Sequence, residues 1–167
     1  GLLEPRRFVP LDYNALSGLL VRGGTILGTA NRGKFSAKVG HGESRGLPKE
    51  LRDDTRRGMD ALGISALVSI GGDGSLSIAQ QMHEHGIPIV GVPKTIDNDL
   101  ECTVMTFGFD SAVACATDAL DRLHTTAESH NRVMVLEVMG RYAGWIALYA
   151  GVAGGAEEFE VLGRVVG

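Results

Sequence analysis

Short apolar runs alternate with helical segments along this chain, and this alternation constrains the fold more than any other feature. Residues 66–70 form a β-rich run that stops at a glycine cluster. Residues 87–92 form a second apolar run that ends in a polar loop, and residues 132–138 form a third. Strands separated by helices are joined by right-handed crossovers and pair in parallel. The sequence therefore predicts an α/β fold, a Rossmann-like three-layer sandwich with a mainly parallel sheet.

The predicted helices lie between and beside these runs. They cover residues 49–62, residues 78–84, a long segment that begins at Asp110 or Ser111, and residues 143–152. Gly63 is expected to stop the first helix. Because ligands of such folds bind at the carboxyl ends of the strands, we expect three polar loops to converge on one rim of the sheet. These loops are residues 71–75, 93–99 and 139–141.

Length and charge exclude several classes of protein. The 167 residues are enough for one α/β domain, and the net charge of −4 gives no general attraction for nucleic acid or an anionic membrane. No apolar stretch is long enough to span a bilayer. Cys102 and Cys115 are separated and have no histidine cluster nearby, so they are interpreted as free thiols. We expect a cytoplasmic location.

The glycine-rich loop at residues 71–75 has the pattern of an anion site. Glycines between a strand and a helix let the backbone N–H groups approach a phosphate. Asp73 within the loop would repel a phosphate unless a hard cation such as Mg²⁺ lay between them. The alternative is a tight turn in which Asp73 caps the helix.

Asp97 and Asp99 lie two residues apart at the end of the second run. Two nearby carboxylates raise the pKa of one of them unless a cation or hydrogen bonds intervene, which suits a general base beside a metal. The alternative is an Asx-turn that caps a helix. Arg141 follows the third run and Arg132 opens it, and guanidinium groups are natural partners of phosphate.

Four strings, taken in order and spacing, resemble the phosphofructokinase family. They are Gly71-Gly72-Asp73-Gly74-Ser75, Pro93-Lys94-Thr95-Ile96-Asp97-Asn98-Asp99, Thr106-Phe107-Gly108-Phe109-Asp110 and Met139-Gly140-Arg141-Tyr142-Ala143-Gly144. The resemblance extends from about residue 1 to residue 156. It implies phosphoryl transfer from ATP to the 1-hydroxyl of fructose 6-phosphate, giving fructose 1,6-bisphosphate in glycolysis.

The resemblance also implies roles for individual residues. Asp97 would take the proton from the sugar hydroxyl, with Thr95 and Asp99 positioning the substrate and the transferred group. Asp73 would organise Mg²⁺. The remaining contacts implied for the nucleotide are Gly72, Gly74, Ser75, Lys94 and, more loosely, Arg32 beside Asn31. Those implied for the sugar phosphate are Ile96, Met139, Gly140 and Arg141, and Arg141 is also implied as a catalytic residue in a segment that contacts the transition state. Arg132 would join them from a neighbouring subunit of a homodimer or homotetramer.

The phosphoryl donor is left open between ATP and pyrophosphate. Pyrophosphate-dependent members of the family commonly carry a carboxylate where Gly74 stands, so Gly74 favours ATP. Lys94 occupies a position where many ATP-dependent members have glycine and pyrophosphate-dependent members have lysine. Some ATP-dependent members combine the same two residues, and ATP is therefore the expected donor.

The resemblance also indicates an incomplete domain. The family has a strand and a glycine-rich loop before the position of Gly1, and a substrate domain after the position of Gly167. The tail after Ala156 departs from the family pattern. We therefore expect a partial phosphofructokinase domain over residues 1–167, and the alternative function is a non-catalytic fragment that retains the fold. A lipid or NAD kinase is disfavoured by residues 95–99 and 139–141.

Overall fold

The computed structural model describes residues 2–4, 7–29, 35, 46–101 and 103–157. Asn31, Arg32, Cys102 and the tail from residue 158 lie outside these residues. The helices are α1 (Tyr13–Leu16), α2 (Lys49–Leu62), α3 (Asp73–Glu84), α4 (Phe109–His130) and α5 (Trp145–Ala153), with a 3₁₀ turn at Leu19–Val21. The strands are β1 (Leu67–Gly71), β2 (Ile89–Thr95) and β3 (Phe107–Gly108).

The three strands form one sheet in the order β1-β2-β3. The pairing of β2 with β3 is parallel, with Lys94 opposite Phe107 and Thr95 opposite Gly108. Helices α3 and α4 each begin within one residue of a strand end, because α3 follows Gly72 and α4 follows β3 directly. The predicted α/β architecture is confirmed.

The chain divides into two compact units. The first consists of Gly1–Ser69 and Ser77–Val90, and the second consists of Ile70–Leu76 and Gly91–Gly167. In the first unit, the buried face of α2 carries Leu51 and Met59, which form a core with Met82 and Ile87. Gly63 ends α2 in the left-handed conformation, as predicted. The Nε2 atom of His85 lies 2.9 Å from the Asp53 carboxylate, and this hydrogen bond lowers the pKa of Asp53.

The second unit is built on the packing of α4 against α5. Its core contains Phe109, Ala116, Ile146 and Ala150, all buried. The Phe109 ring meets the Tyr149 ring edge to face, with 5.4 Å between their centroids. A hydrogen bond also joins α4 to the end of α5, because the His124 ring lies 2.8 Å from the Gly154 carbonyl oxygen.

Helix α3 begins five residues before the predicted start. The Gly72 carbonyl accepts hydrogen bonds from the N–H groups of Ser75 and Leu76, both at 3.0 Å. The expected glycine loop is therefore the first turn of the helix, and Asp73, Gly74 and Ser75 belong to it. The glycines concealed this from sequence because they lower helix propensity wherever they occur.

Strand β2 and helix α4 also differ from their predicted bounds. β2 continues through Pro93, Lys94 and Thr95 because β3 pairs with its last residues, and this two-residue strand was not predicted. Helix α4 begins at Phe109 after Gly108, so the prediction that Asp110 or Ser111 caps it was wrong. Gly108 has φ +109°, a left-handed conformation that favours glycine.

The predicted third strand is absent from the described residues, where residues 132–139 have no assigned secondary structure. Exposure nevertheless alternates along this segment as in a strand: Met134, Leu136 and Val138 are half-buried, whereas Val133 and Val135 are exposed. A strand needs a hydrogen-bonded neighbour, and the three-stranded sheet does not include this segment. The sequence predicted the side-chain pattern correctly and the backbone pairing wrongly.

Within the described ranges, every helix is too short or too polar to span a bilayer.

Replacing Phe109 by alanine should destabilise the chain strongly. The side chain is 2% exposed, and Phe-to-Ala changes in a core cost about 3–5 kcal/mol. Phe107→Ala is a matched control, because Phe107 is 66% exposed two residues away and should cost less than ~1 kcal/mol. Urea denaturation of both variants measures this. Equal losses would contradict the assignment of Phe109 to the core.

Candidate active site

The turn between β1 and α3 depends on a very close approach at Gly71. A Cβ atom at this position would lie 2.5 Å from the Ser75 Cβ atom and 2.6 Å from its Oγ atom. Only glycine fits without a backbone shift, so strand and helix are joined through the single residue Gly72. The first turn of α3, which includes Gly74, therefore follows the end of β1 directly, and the first N–H groups of a helix have no partner within the helix.

The same turn lies beside the end of β2. A Cβ atom built on Gly72 would be 3.6 Å from the Thr95 Cβ atom and 3.7 Å from the Lys94 carbonyl oxygen. The predicted phosphate turn and the predicted carboxylate segment are therefore neighbours. They come together within one unit of the chain.

After Thr95 the chain makes a sharp turn that carries both carboxylates. The Asp97 N–H donates to the Thr95 hydroxyl at 3.2 Å. Asn98 has φ +52°, and asparagine tolerates this left-handed conformation because its short side chain hydrogen-bonds locally. Asp97 and Asp99 therefore lie on either side of a left-handed residue.

Asp97 lies in an environment that opposes its charge. Burial raises the pKa of its carboxyl above the ordinary value of 3.8, and the nearby Asp99 carboxylate raises it further. Arg141 and the hydrogen bond with Thr95 lower it by smaller amounts. The Oδ1 atom of Asp97 is buried and has no hydrogen-bond partner among the described residues. It is therefore a buried acceptor that no described donor satisfies.

Arg141 brings the third predicted loop to the carboxylate turn. Its Nη1 atom lies 3.8 Å from the Asp99 Oδ2 atom, and its guanidinium group lies 5.5 Å from the centre of the Tyr142 ring. Arg141 also has φ +55°, an uncommon conformation for a residue other than glycine. At Gly140 a Cβ atom would lie 2.6 Å from the Ala143 carbonyl oxygen, so this turn requires glycine.

The structure thus brings together predicted site residues from all three loops. Gly72 lies beside Thr95. Asp97 and Asp99 follow Thr95 in the same turn, and Arg141 faces Asp99. Other predicted residues are exposed and make no side-chain hydrogen bond or ion pair within the described residues. They are Lys94, Arg132 and Met139. Ile96 is partly exposed, and its Cγ2 atom lies close to Gly108.

Two residues that matter to this geometry had no role assigned from sequence. Thr106 is 3% exposed, and its hydroxyl donates to the Thr95 carbonyl oxygen at 2.8 Å. The Thr106 N–H donates to the Asn98 side-chain oxygen at 2.9 Å. Both residues belong to strings that carry the family resemblance, and that membership was the only sequence signal that pointed to them.

Comparison with known proteins gives these observations a family. The family profile described as Phosphofructokinase matches residues 1–162. The chain belongs to the phosphofructokinase family. The resemblance read from the four strings is confirmed by this match.

The chain spans about two fifths of the length of the curated phosphofructokinase relatives that it matches. It is 53% identical to an ATP-dependent 6-phosphofructokinase of Chloroflexus aurantiacus, covering 94% of this chain and 43% of the relative. It is 54% identical to an enzyme of the same description from Corynebacterium efficiens, covering 93% and 42%. It is 56% identical to a pyrophosphate–fructose 6-phosphate 1-phosphotransferase of Streptomyces coelicolor, covering 89% and 40%.

Solved phosphofructokinases show the same fold. The chain superposes on the Saccharomyces cerevisiae phosphofructokinase with a TM-score of 0.75 and 33% identity, covering 88% of this chain and 21% of that one. It superposes on the Pichia pastoris phosphofructokinase with a TM-score of 0.71 and 36% identity, covering 88% and 16%.

The residues present fit a magnesium ion that is bound mainly by its substrate. No group of three His, Cys, Asp or Glu side chains in the described part of the chain is placed to hold a metal. Mg²⁺ in phosphoryl-transfer sites is bound through one or two carboxylates together with substrate phosphates. Asp73, an acid in the first turn of α3, would supply the carboxylate of such a site.

The close approach at Gly71 predicts a specific pair of substitutions. Gly71→Ala should lower the free energy of unfolding by about 1–3 kcal/mol, because the added methyl group overlaps the Ser75 Cβ atom. Adding Ser75→Gly should recover part of the loss, whereas Gly72→Ala, with contacts no closer than 3.6 Å, should cost less than Gly71→Ala. Chemical denaturation of these three variants and the unmodified chain is the measurement. A double variant that recovers nothing would contradict the geometry of this turn.

The raised pKa of Asp97 predicts how stability depends on pH. An acid whose pKa is raised on folding makes its favourable contribution when protonated, and the contribution is lost as pH rises through the folded-state pKa. Asp97→Asn should therefore increase stability relative to the unmodified chain more at pH 7 than near pH 4. Urea denaturation across this range tests it, with the exposed Asp121→Asn as control. A difference that does not change with pH would show that Asp97 has an ordinary pKa.

Proposed function

We propose that this chain forms the part of an ATP-dependent 6-phosphofructokinase that carries the catalytic base and the nucleotide-phosphate turn. The reaction is phosphoryl transfer from ATP to the 1-hydroxyl of fructose 6-phosphate, a step of glycolysis in the cytoplasm. The observation that carries the proposal is Asp97, whose buried and unpartnered Oδ1 atom lies in the turn that joins the other two loops. A general base requires a free acceptor atom of this kind.

Each group in the turn has a role in this reaction. Asp97 accepts the proton of the sugar 1-hydroxyl, and its raised pKa makes it a better base than an ordinary carboxylate. Thr95 holds the Asp97 backbone N–H, and Asp99 holds Arg141 on the far side of the turn. Arg141 supplies positive charge for the transferred phosphoryl group, as guanidinium groups do in phosphoryl transfer.

The phosphate donor would lie against the first turn of α3. Gly72 and Gly74 present backbone there without a side chain, and Ser75 adds a hydroxyl at the edge of the turn. Asp73 would hold Mg²⁺, which neutralises charge on the donor phosphates when it is bound. Lys94 is exposed at the neighbouring strand end and would contact the donor phosphates. For Arg32 the proposed nucleotide contact rests on the resemblance alone.

The sugar-phosphate contacts would come from the other side of the carboxylate turn. Ile96, Met139 and Gly140 lie beside Asp97 and Arg141 in sequence and would line the substrate. The exposed side chain of Arg132 would reach the substrate phosphate in a neighbouring subunit, so we propose a homodimer or homotetramer. This assignment of Arg132 follows from the resemblance, and its exposure is compatible with it.

The donor assignment to ATP follows from Gly74. Gly74 lies in the first helical turn, and by the resemblance the lack of a side chain there would leave room for the α-phosphate of a nucleotide. Relatives at similar identity carry both descriptions, ATP-dependent and pyrophosphate-dependent. Lys94 is the residue that favours pyrophosphate, and it makes pyrophosphate the alternative donor.

The proposal is tested in a hybrid enzyme in which this chain replaces the matching segment of the Chloroflexus aurantiacus relative. With fructose 6-phosphate and Mg²⁺, the hybrid enzyme should turn over with ATP faster than with pyrophosphate. Asp97→Asn should lower kcat by about 10²–10⁴-fold while KM changes little, because a general base acts in the transition state. The control variant Asp121→Asn changes an exposed acid of α4 and should leave kcat unchanged.

Three outcomes would count against the proposal. Faster turnover with pyrophosphate than with ATP would show that pyrophosphate is the phosphoryl donor. Full activity in the Asp97→Asn variant would remove Asp97 from the role of base. A folded hybrid enzyme that binds ATP and fructose 6-phosphate without turnover would favour a non-catalytic segment.

A further inference from the structure

Thr106 is a buried polar residue that ties two strand ends to the carboxylate turn. It immediately precedes β3, is 3% exposed, and its hydroxyl donates to the Thr95 carbonyl oxygen at 2.8 Å. The hydroxyl is also 3.3 Å from the Asn98 side-chain oxygen, but its one proton serves the shorter contact. The Thr106 N–H serves Asn98 instead, at 2.9 Å.

Asn98 completes this set of hydrogen bonds from the other side. Its side-chain oxygen accepts from the Thr106 N–H, and its amide group donates to the Val104 carbonyl oxygen at 3.3 Å. The side chain of Asn98 therefore bridges the turn to the segment that leads into β3. These bonds compensate the left-handed backbone of Asn98, which would otherwise be strained.

Asp97 lies between the two residues that are held in this way. Thr95 is fixed through its carbonyl oxygen and Asn98 through its side chain, so the backbone on both sides of Asp97 is anchored to Thr106. None of these hydrogen bonds uses the Asp97 carboxylate. The Oδ1 atom of Asp97 is thus buried without a hydrogen-bond partner, while the backbone on both sides of Asp97 is held in place.

We propose that Thr106 and Asn98 are positioning residues for the base Asp97. This inference rests on the proposed function, since it assigns to the pair the task of aiming Asp97 at the sugar hydroxyl. Misplacement of a catalytic group by about 1 Å can lower the rate about 10²-fold. Anchoring the residues on both sides of Asp97 would therefore contribute substantially to the rate of the reaction. Thr106 touches no reacting atom and acts through Thr95 and Asn98.

The chain offers variants that separate positioning from folding. Thr106→Val removes the hydroxyl proton and keeps the shape, whereas Thr106→Ser keeps the hydroxyl. Asn98→Gly removes the bridging side chain at a φ that glycine adopts without strain. Thr103→Val is the matched control, because the Thr103 hydroxyl donates to the Met105 carbonyl oxygen within the same connection but away from Asp97.

The first measurement is steady-state kinetics of the hybrid enzyme. Thr106→Val and Asn98→Gly should each lower kcat by about 10–100-fold, with KM for fructose 6-phosphate within about threefold of the unmodified hybrid enzyme. Thr106→Ser and Thr103→Val should stay within about threefold in both parameters. Unchanged kcat in Thr106→Val, or an equal loss in Thr106→Ser, would overturn the inference.

The second measurement does not depend on activity. Carbon-13 NMR titration of the Asp97 carboxyl in this chain should show its pKa falling toward the ordinary value of 3.8 in Thr106→Val and Asn98→Gly, as the loosened turn exposes it to water. The pKa should be retained in Thr106→Ser. If the hybrid enzyme had no phosphotransferase activity, that result would contradict the proposed function but not the positioning of Asp97. The titration would then test the positioning by itself. An Asp97 pKa that is the same in all variants would overturn it.

Discussion

The parallel pairing of β2 with β3 is the constraint on which the candidate active site depends. It is only two residue pairs long, yet it places Thr95 opposite Gly108 and carries β2 to the point where the chain turns. The Thr106 hydroxyl adds a side-chain hydrogen bond to the Thr95 carbonyl oxygen at the same place. Helix α4 begins immediately after β3 and packs through Phe109 into the core with α5. The carboxylate turn is thus fixed to the most deeply buried part of its unit.

The chemistry of the site follows from backbone placement more than from side-chain contacts. Gly71 and Gly140 are positions where any Cβ atom would collide with a neighbouring residue, and each brings a turn close to the next strand or helix. As a result, Gly72 lies beside Thr95, and Arg141 lies beside Asp99. The resulting site contains free backbone donors, one guanidinium group and one buried carboxylate atom without a partner. Under the proposed function, such a set would act on the transferred group by position and charge.

The sequence predicted the order of strands and helices well where side-chain pattern decides it. Helix α2 with its Gly63 stop and the run that became β1 were found within a residue or two, since apolar spacing and a left-handed glycine are local signals. The start of α3, the cap of α4 and strand β3 were not found. Each depends on a hydrogen bond or a pairing made elsewhere in the fold. The segment 132–139 shows the converse, because its side-chain pattern exists without a partner strand.

The sequence named candidate site residues, and their arrangement needed the structure. Four motifs in order proposed Asp97, Asp99, Asp73 and Arg141 as members of the site, and the family match confirms the resemblance on which that prediction rests. The structure was needed to show that Asp97 carries the buried carboxylate atom and that Thr106, although it belongs to one of the four strings, anchors the backbone beside it. The positive φ of Asn98 and Arg141 also appears only in the backbone.

The most direct test of the central claim is a crystal structure of the hybrid enzyme with bound fructose 6-phosphate. The quantity to measure is the distance from the Asp97 carboxylate to the sugar 1-hydroxyl oxygen. If Asp97 is the base, the two oxygen atoms lie within about 2.6–3.2 Å of each other or share one bridging water. A 1-hydroxyl held by Asp99, or one beyond the reach of Asp97 with the site closed around the sugar, would contradict the account.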